Sequence, residues 1–240
     1  MHAPEATIVG VYRRRNVSHV LRLLEPALER GWSTAWWALT GADPLLEEYT
    51  VGEGPGEKFP LINETLRRSG HIASWTVLSD DDIAFRRGNV VRFVGMCERA
   101  GLDIAQPARA RGTARSHEIT TALRYVRARN TTFVESGPLV AVGPRWRDSV
   151  LPLPNELGMG WGVEFNWFDL MDSGCRLGIV DSTVVEHLGT VADEYDTTEL
   201  HRRLRAELAA RGAEDFRPFE RTLDAWRPWQ RHPGWVRRAS

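Results

Sequence analysis

The 240-residue chain carries a net charge of −1, which leaves no electrostatic case for binding nucleic acid or an anionic membrane. Hydrophobic residues at 42% and charged residues at 26% exclude a disordered chain and suit a domain able to bury a sizeable core. Cys97 and Cys175 lie in apolar segments and make neither a disulfide framework nor a zinc set. No signal-peptide core stands near the amino terminus, and no apolar run approaches the roughly 20 residues that span a bilayer. The expectation is a protein of the cytoplasm without a transmembrane segment.

Residues 6–12 (Ala-Thr-Ile-Val-Gly-Val-Tyr) read as a first buried strand. Asn16 is placed to cap a helix running to Leu28, with a kink or a new turn at Pro26 and an end at Gly31. Residues 33–39 make a second strand, so the opening implies a parallel pair joined by a right-handed crossover. A glycine-rich loop over 52–58 fits neither the P-loop nor the dinucleotide-binding register. Its Lys58 is the only lysine in the chain; genome composition is the leading reading of that bias, and a lysine kept in a glycine-rich loop makes it a candidate for a role that wants a compact ammonium. Residues 59–68 form a short helix that Gly70 stops.

Trp75-Thr76-Val77-Leu78-Ser79 is a central strand that runs straight into Asp80-Asp81-Asp82. Three adjacent aspartates repel one another, and the carboxyl end of a strand is where open α/β sheets bind ligands. In extended geometry Asp80 and Asp82 point one way and Asp81 the other. Two convergent carboxylates suit a hard divalent cation on phosphate oxygens; equally, such residues form turns or cap the helix after Arg87.

Asn89 caps a helix closed by Gly101, and residues 102–106 begin the next strand. Residues 116–134 mix two periods and read as two strands with a turn near Asn130. Residues 155–167 are rich in glycine and aromatics, and 176–187 form a late strand. Asp196-Thr197-Thr198-Glu199 is a capping box opening a helix to Arg211, with Gly212 just beyond. Residues 216–240 hold Trp226, Trp229 and Trp235 among prolines and arginines, a tail that packs on the domain or meets an acceptor or partner. The expected division is a domain over 1–195 and a C-terminal helix with its aromatic tail over 196–240. No internal repeat is evident.

Strand one, the segment from Lys58 to Asn63 and the Ser79-Asp80-Asp81-Asp82 end together resemble the GT-A glycosyltransferases, the nucleotide-diphospho-sugar transferase fold, whose hallmark is an Asp-x-Asp motif ending a central strand. Leu102-Asp103-Ile104-Ala105-Gln106-Pro107-Ala108, Phe133-Val134-Glu135-Ser136, Gly160-Trp161-Gly162-Val163-Glu164-Phe165 and Ile179-Val180-Asp181…Glu186-His187-Leu188-Gly189 follow in that order. They are similar to a GT-A-like domain family of unassigned function abundant in plants. The likeness covers roughly residues 5–192 and implies an α/β fold with a Rossmann-type mixed sheet flanked by helices.

The resemblance implies Asp82 as a direct ligand of Mn²⁺ or Mg²⁺, joined by His187 from the late strand. Asp80 would face the metal or the donor ribose, and Asp81 would support the donor side. Lys58 and Asn63 match a donor-loop segment, and Tyr12 and Arg13 stand where the nucleobase end of the donor is expected. Glu164, after the Trp161-Gly162 turn, would take the acceptor's proton, with Trp161, Gly162 and Glu135 on the acceptor side. Phe165 and Asn166 stand where the family often has further acids. The implied activity is metal-dependent transfer of a sugar from a nucleotide-diphosphate donor to a hydroxyl of a glycan or small molecule, with inversion. A nucleotidyltransferase of related fold and a non-catalytic nucleotide-sugar or glycan-binding module are the alternatives. Tyr12-Arg13-Arg14-Arg15 replaces the glycine-rich signature of the first, and Phe165 after Glu164 permits the second.

Overall fold

Near-continuous apolar strands need cover on both faces, and helices supply it here on either side of a single sheet. The structure, a computed structural model, describes residues 5–70, 73–113, 116–189 and 198–236. β1 (Ala6–Tyr12) leads through a 3-10 turn at Arg14–Asn16 into α1 (Val17–Leu28) and back to β2 (Ser33–Ala38), parallel to β1. β3 (Thr50–Glu53) adds in parallel to β2; α2 (Lys58–Arg68) then crosses to β4 (Trp75–Ser79), parallel to β1 on its other side. Next come β5 (Ile83–Arg87), α3 (Val90–Ala100), β6 (Ile104–Arg109), β7 (Ala128–Thr131) and β8 (Leu139–Val142). The short α4 (Arg147–Val150), α5 (Val163–Leu170), β9 (Leu177–His187), α6 (Thr198–Ala210) and β10 (Thr222–Trp226) complete the described elements. The sheet order is β10-β7-β9-β6-β8-β4-β1-β2-β3, and β5 pairs with β9 off that path. Among the described residues no helix is long and apolar enough to cross a membrane.

Alternation along β1 divides the interior into two cores. Ala6, Ile8 and Tyr12 face one that includes Leu24 of α1 and Phe93 and Cys97 of α3. Val9 and Val11 face the other, with Trp37 of β2, Leu78 of β4 and Phe59, Ile62 and Leu66 of α2. The two-residue period of the strand does this sorting, and it also decides which end-of-strand side chains reach the site.

Two expectations are corrected, and two features go beyond the sequence reading. Asn16 makes no cap hydrogen bond to α1; its carboxamide goes to Asp81. The 116–134 segment holds one strand, β7, after a 3-10 turn at Glu118–Thr120, and Asn130 lies inside that strand rather than at a turn. A buried ion pair overrides the local period there: Arg129 Nε lies 2.9 Å from Asp181 Oδ2, and its other nitrogens donate to the Ile119 and Thr121 carbonyls. The aromatic tail does more than pack, because β10 extends the sheet by pairing antiparallel with β7. Trp226 is buried within it, while Trp229 is 74% exposed. Finally β5, absent from the sequence reading, pairs with the far half of β9 and sets Ile83 opposite His187. Asp196 and Thr197 of the capping box lie outside the described residues; Thr198 begins α6.

Candidate functional site

The chain leaves β1 towards β2 on one side and later returns through β4 on the other, so the carboxyl ends of β1 and β4 flank a topological switch point. A cavity of about 570 Å³ lies there. Its walls include Arg13, Lys58, the three aspartates, Glu135, Trp161, Gly162, Glu164 and His187.

The aspartates alternate as an extended chain requires. Asp80 is anchored by its own N–H on the Pro138 carbonyl (2.7 Å), and its Oδ1 lies 2.5 Å from Lys58 Nζ. Gly137 lies against that pair: a Cβ there would stand 3.1 Å from Asp80 Oδ2, a tight contact, and 3.4 Å from Lys58 Nζ. Asp81 turns the other way and is buried, its Oδ2 accepting the Arg13 main-chain N–H at 2.6 Å. Burial pushes Asp81 up from the usual carboxylate range, against the hydrogen bonds from Arg13 and Asn16. Its part is to tie the β1–α1 turn to the end of β4.

Asp82 meets His187 because β5 starts one residue later and pairs with the end of β9. The Leu188 N–H donates to the Asp82 carbonyl (2.7 Å), and His187 Nε2 lies 2.9 Å from Asp82 Oδ1. Burial alone would raise Asp82, but the hydrogen bond and charge of His187 hold it below the ordinary range. The same pair lifts His187 above an ordinary imidazole, although burial opposes it. One ligand atom from each of Asp80, Asp82 and His187 lies within 4.8 Å of the others. Two carboxylates and one imidazole are a donor set for a hard or borderline divalent cation, so these residues fit Mn²⁺ or Mg²⁺.

Glu164 stands in the first turn of α5, which starts after Gly162 in the left-handed region (φ 98°). Its Oε2 accepts the Gly162 N–H at 2.9 Å, and its Oε1 accepts the Ser136 N–H at 3.0 Å. Glu135, next to Ser136, has its main-chain N–H on Gln106 Oε1 (2.5 Å), but its Oε2 is shielded from solvent with no hydrogen-bond partner. Burial raises its pKa; Arg109, His117 and His187 pull the other way, and Glu164 adds to the rise.

Tyr12 and Asn63 do not join the site. Tyr12 is fully buried, its hydroxyl bonded to Thr50 Oγ1 (2.8 Å) and accepting the Asp43 N–H (3.1 Å). Asn63 clamps the 153–155 loop: its Nδ2 donates to Leu153 O and Asn155 Oδ1, both at 2.7 Å, and its Oδ1 accepts the Leu153 N–H. Both side chains are consumed by structure. Conversely, Arg15, Arg109 and His117 line the cavity and were not singled out from sequence. Arg109 ends a strand at the ligand-binding side of the sheet, a signal that could have found it. His117 falls in the misread segment, and its Nδ1 lies 2.5 Å from Glu220 Oε1, a contact no local pattern announces.

The fold is that of the GT-A glycosyltransferases, a mixed sheet flanked by helices with its cavity at the switch point. The chain is similar in structure to GalNAc-T7 solved with UDP, GalNAc and Mn²⁺, at 10% identity and TM-score 0.61, over 85% of this chain and 48% of that one. It is similar also to S. aureus TarS 1–349 in complex with UDP-GlcNAc, at 9% identity and TM-score 0.56, over 85% of this chain and 66% of that one. The chain thus spans about half of the first protein and about two thirds of the second. No protein-family model and no curated protein matches the sequence, so the likeness to the plant-abundant domain family rests on its motifs alone.

Proposed function

We propose that the protein is a glycosyltransferase that moves a sugar from a nucleoside diphosphate to an acceptor hydroxyl, using Mn²⁺ or Mg²⁺. The observation that carries this reading is the convergence of Asp80, Asp82 and His187, with the chain's single lysine beside Asp80, in the lining of one cavity on a GT-A sheet. The structural neighbours solved with UDP or a UDP-sugar support a donor of that class.

Asp80, Asp82 and His187 would hold the cation. When bound, it supplies positive charge to the diphosphate as the bond to the sugar C1 breaks. Lys58 would turn its ammonium from Asp80 to a phosphate oxygen, a task for which a compact point charge is suited. Asp81 positions Arg13, which with Arg15 lines the donor end. Glu164 would accept the acceptor's proton as the acceptor oxygen attacks C1 and the diphosphate leaves with the bonding pair, giving inversion. The two main-chain N–H groups fix its carboxylate plane and leave each oxygen a lone pair free. Those same bonds favour, as the second reading, a module that binds nucleotide-sugars without reacting.

Incubation with a panel of UDP- and GDP-sugars and Mn²⁺, scored for nucleoside diphosphate release, tests the proposal. Release that chelator abolishes, and that falls at least about a hundredfold in Asp82→Ala, is expected. Donor binding without release would favour the binding module. Full activity in Asp82→Ala would remove the cation role.

A further inference from the structure

Glu135 and Glu164 share a wall of the cavity, and the protein treats them in opposite ways. Glu164 receives a main-chain N–H on each oxygen. Glu135 receives none on Oε2, an atom shielded from solvent without a partner. A shielded carboxylate oxygen with no donor is costly; protonation removes the charge, leaves Oε2 as the carbonyl oxygen and puts the O–H on Oε1, which is not among the shielded atoms.

The charges around Glu135 do not reverse this. Arg109 from β6, His117 from the 3-10 segment and His187 from β9 favour the ionised form, while Glu164 from α5 opposes it. His117 already faces Glu220 at 2.5 Å and His187 already faces Asp82 at 2.9 Å, so both imidazoles have nearer carboxylates to serve. Burial prevails and holds the Glu135 proton to higher pH than an ordinary carboxyl keeps it. Environments that treat two neighbouring acids so differently set them different roles.

We propose that Glu135 works as a neutral carboxylic acid, donating its proton in a hydrogen bond to a hydroxyl oxygen of the carbohydrate bound in the cavity. This rests on the glycosyltransferase reading and assigns that site a second acid beside the expected base. Glu135 positions and selects a sugar or acceptor hydroxyl; no proton changes owner.

Two measurements test it. Infrared difference spectra at pH 7, wild type minus Glu135→Gln, are expected to show a protonated carboxyl band; a carboxylate band in its place overturns the inference without reference to catalysis. Release of UDP from UDP-GlcNAc and UDP-GalNAc with Mn²⁺ is expected to fall by about a hundredfold in Glu135→Ala but only a few fold in Glu135→Gln, whose amide still donates. The wild-type rate should decline as pH rises through the Glu135 pKa, and Glu135→Gln should lose that alkaline limb. Glu135→Gln as inactive as Glu135→Ala would mean that an ionised carboxylate is required, which also overturns it. Should the wild type release UDP from neither donor while binding neither, the transferase reading falls, and the infrared spectrum alone rules on Glu135.

Discussion

Gly189→Ala is a substitution whose effect should be confined to one carboxylate. A Cβ built on Gly189 lies 2.1 Å from Asp82 Oδ2, about 0.9 Å inside the 3.0 Å limit for real Cβ contacts. The obstructing atom is the end of a side chain, so the clash is relieved by turning Asp82, not by moving backbone. That rotation breaks the 2.9 Å approach of His187 Nε2 to Asp82 Oδ1. An off-rotamer aspartate costs about 0.5–1.5 kcal/mol, which leaves the protein folded. Metal ligation is less forgiving: displacements beyond about 0.2 Å fall outside normal coordination. Mn²⁺ affinity should drop by about 10–100-fold, or about 1.4–2.7 kcal/mol. Calorimetric titration with Mn²⁺, paired with a thermal melt, measures both quantities. Wild-type Mn²⁺ affinity in a folded Gly189→Ala protein would refute the placement of Asp82 in the cation site.

Asp181→Ala strands the buried Arg129 guanidinium and should lower stability by about 3–5 kcal/mol in a urea titration. Tyr12→Phe removes two hydrogen bonds to residues that do not line the cavity, so it should cost about 1–2 kcal/mol and leave UDP affinity unchanged by calorimetry. His117 is raised by its bond to Glu220, against burial, so that bond stabilises the fold most below the unfolded imidazole pKa of about 6.5. The contribution is lost as pH rises through the higher folded value; Glu220→Gln should therefore differ from wild type in thermal melts at pH 6 and converge with it at alkaline pH.

The strands that the sequence makes plain are the ones whose residues are all apolar. Residues 6–12 and 75–79 need no partner to be recognised, and the period of two then predicts the split of Asp80 and Asp82 from Asp81. Tyr12 shows the same rule left unapplied. It shares parity with Ala6 and Ile8 and therefore belongs to the α1–α3 core, whereas Val11 and Arg13 share the other parity and line the cavity. The family resemblance implied a donor contact; parity excludes it. β5 could not be read locally, because Arg86 and Arg87 look like surface and only pairing with β9 makes a strand of them. β7 hides for a similar reason: its burial is bought by the Asp181 carboxylate, far along the chain.

What remains is how five neighbouring carboxyl groups come to differ within one site. Their composition is nearly the same, so the difference lies in what donates to each. The α2 start brings an ammonium to Asp80, the β1–α1 turn brings a main-chain N–H to Asp81, and the β5–β9 pairing brings an imidazole to Asp82. The left-handed turn at Gly162 gives Glu164 one of its two N–H partners, and the Ser136 N–H supplies the other. Glu135 is left with an oxygen that none of these reaches. Each partner arrives from a different element, so sheet topology, more than any motif, gives the five acids their different surroundings.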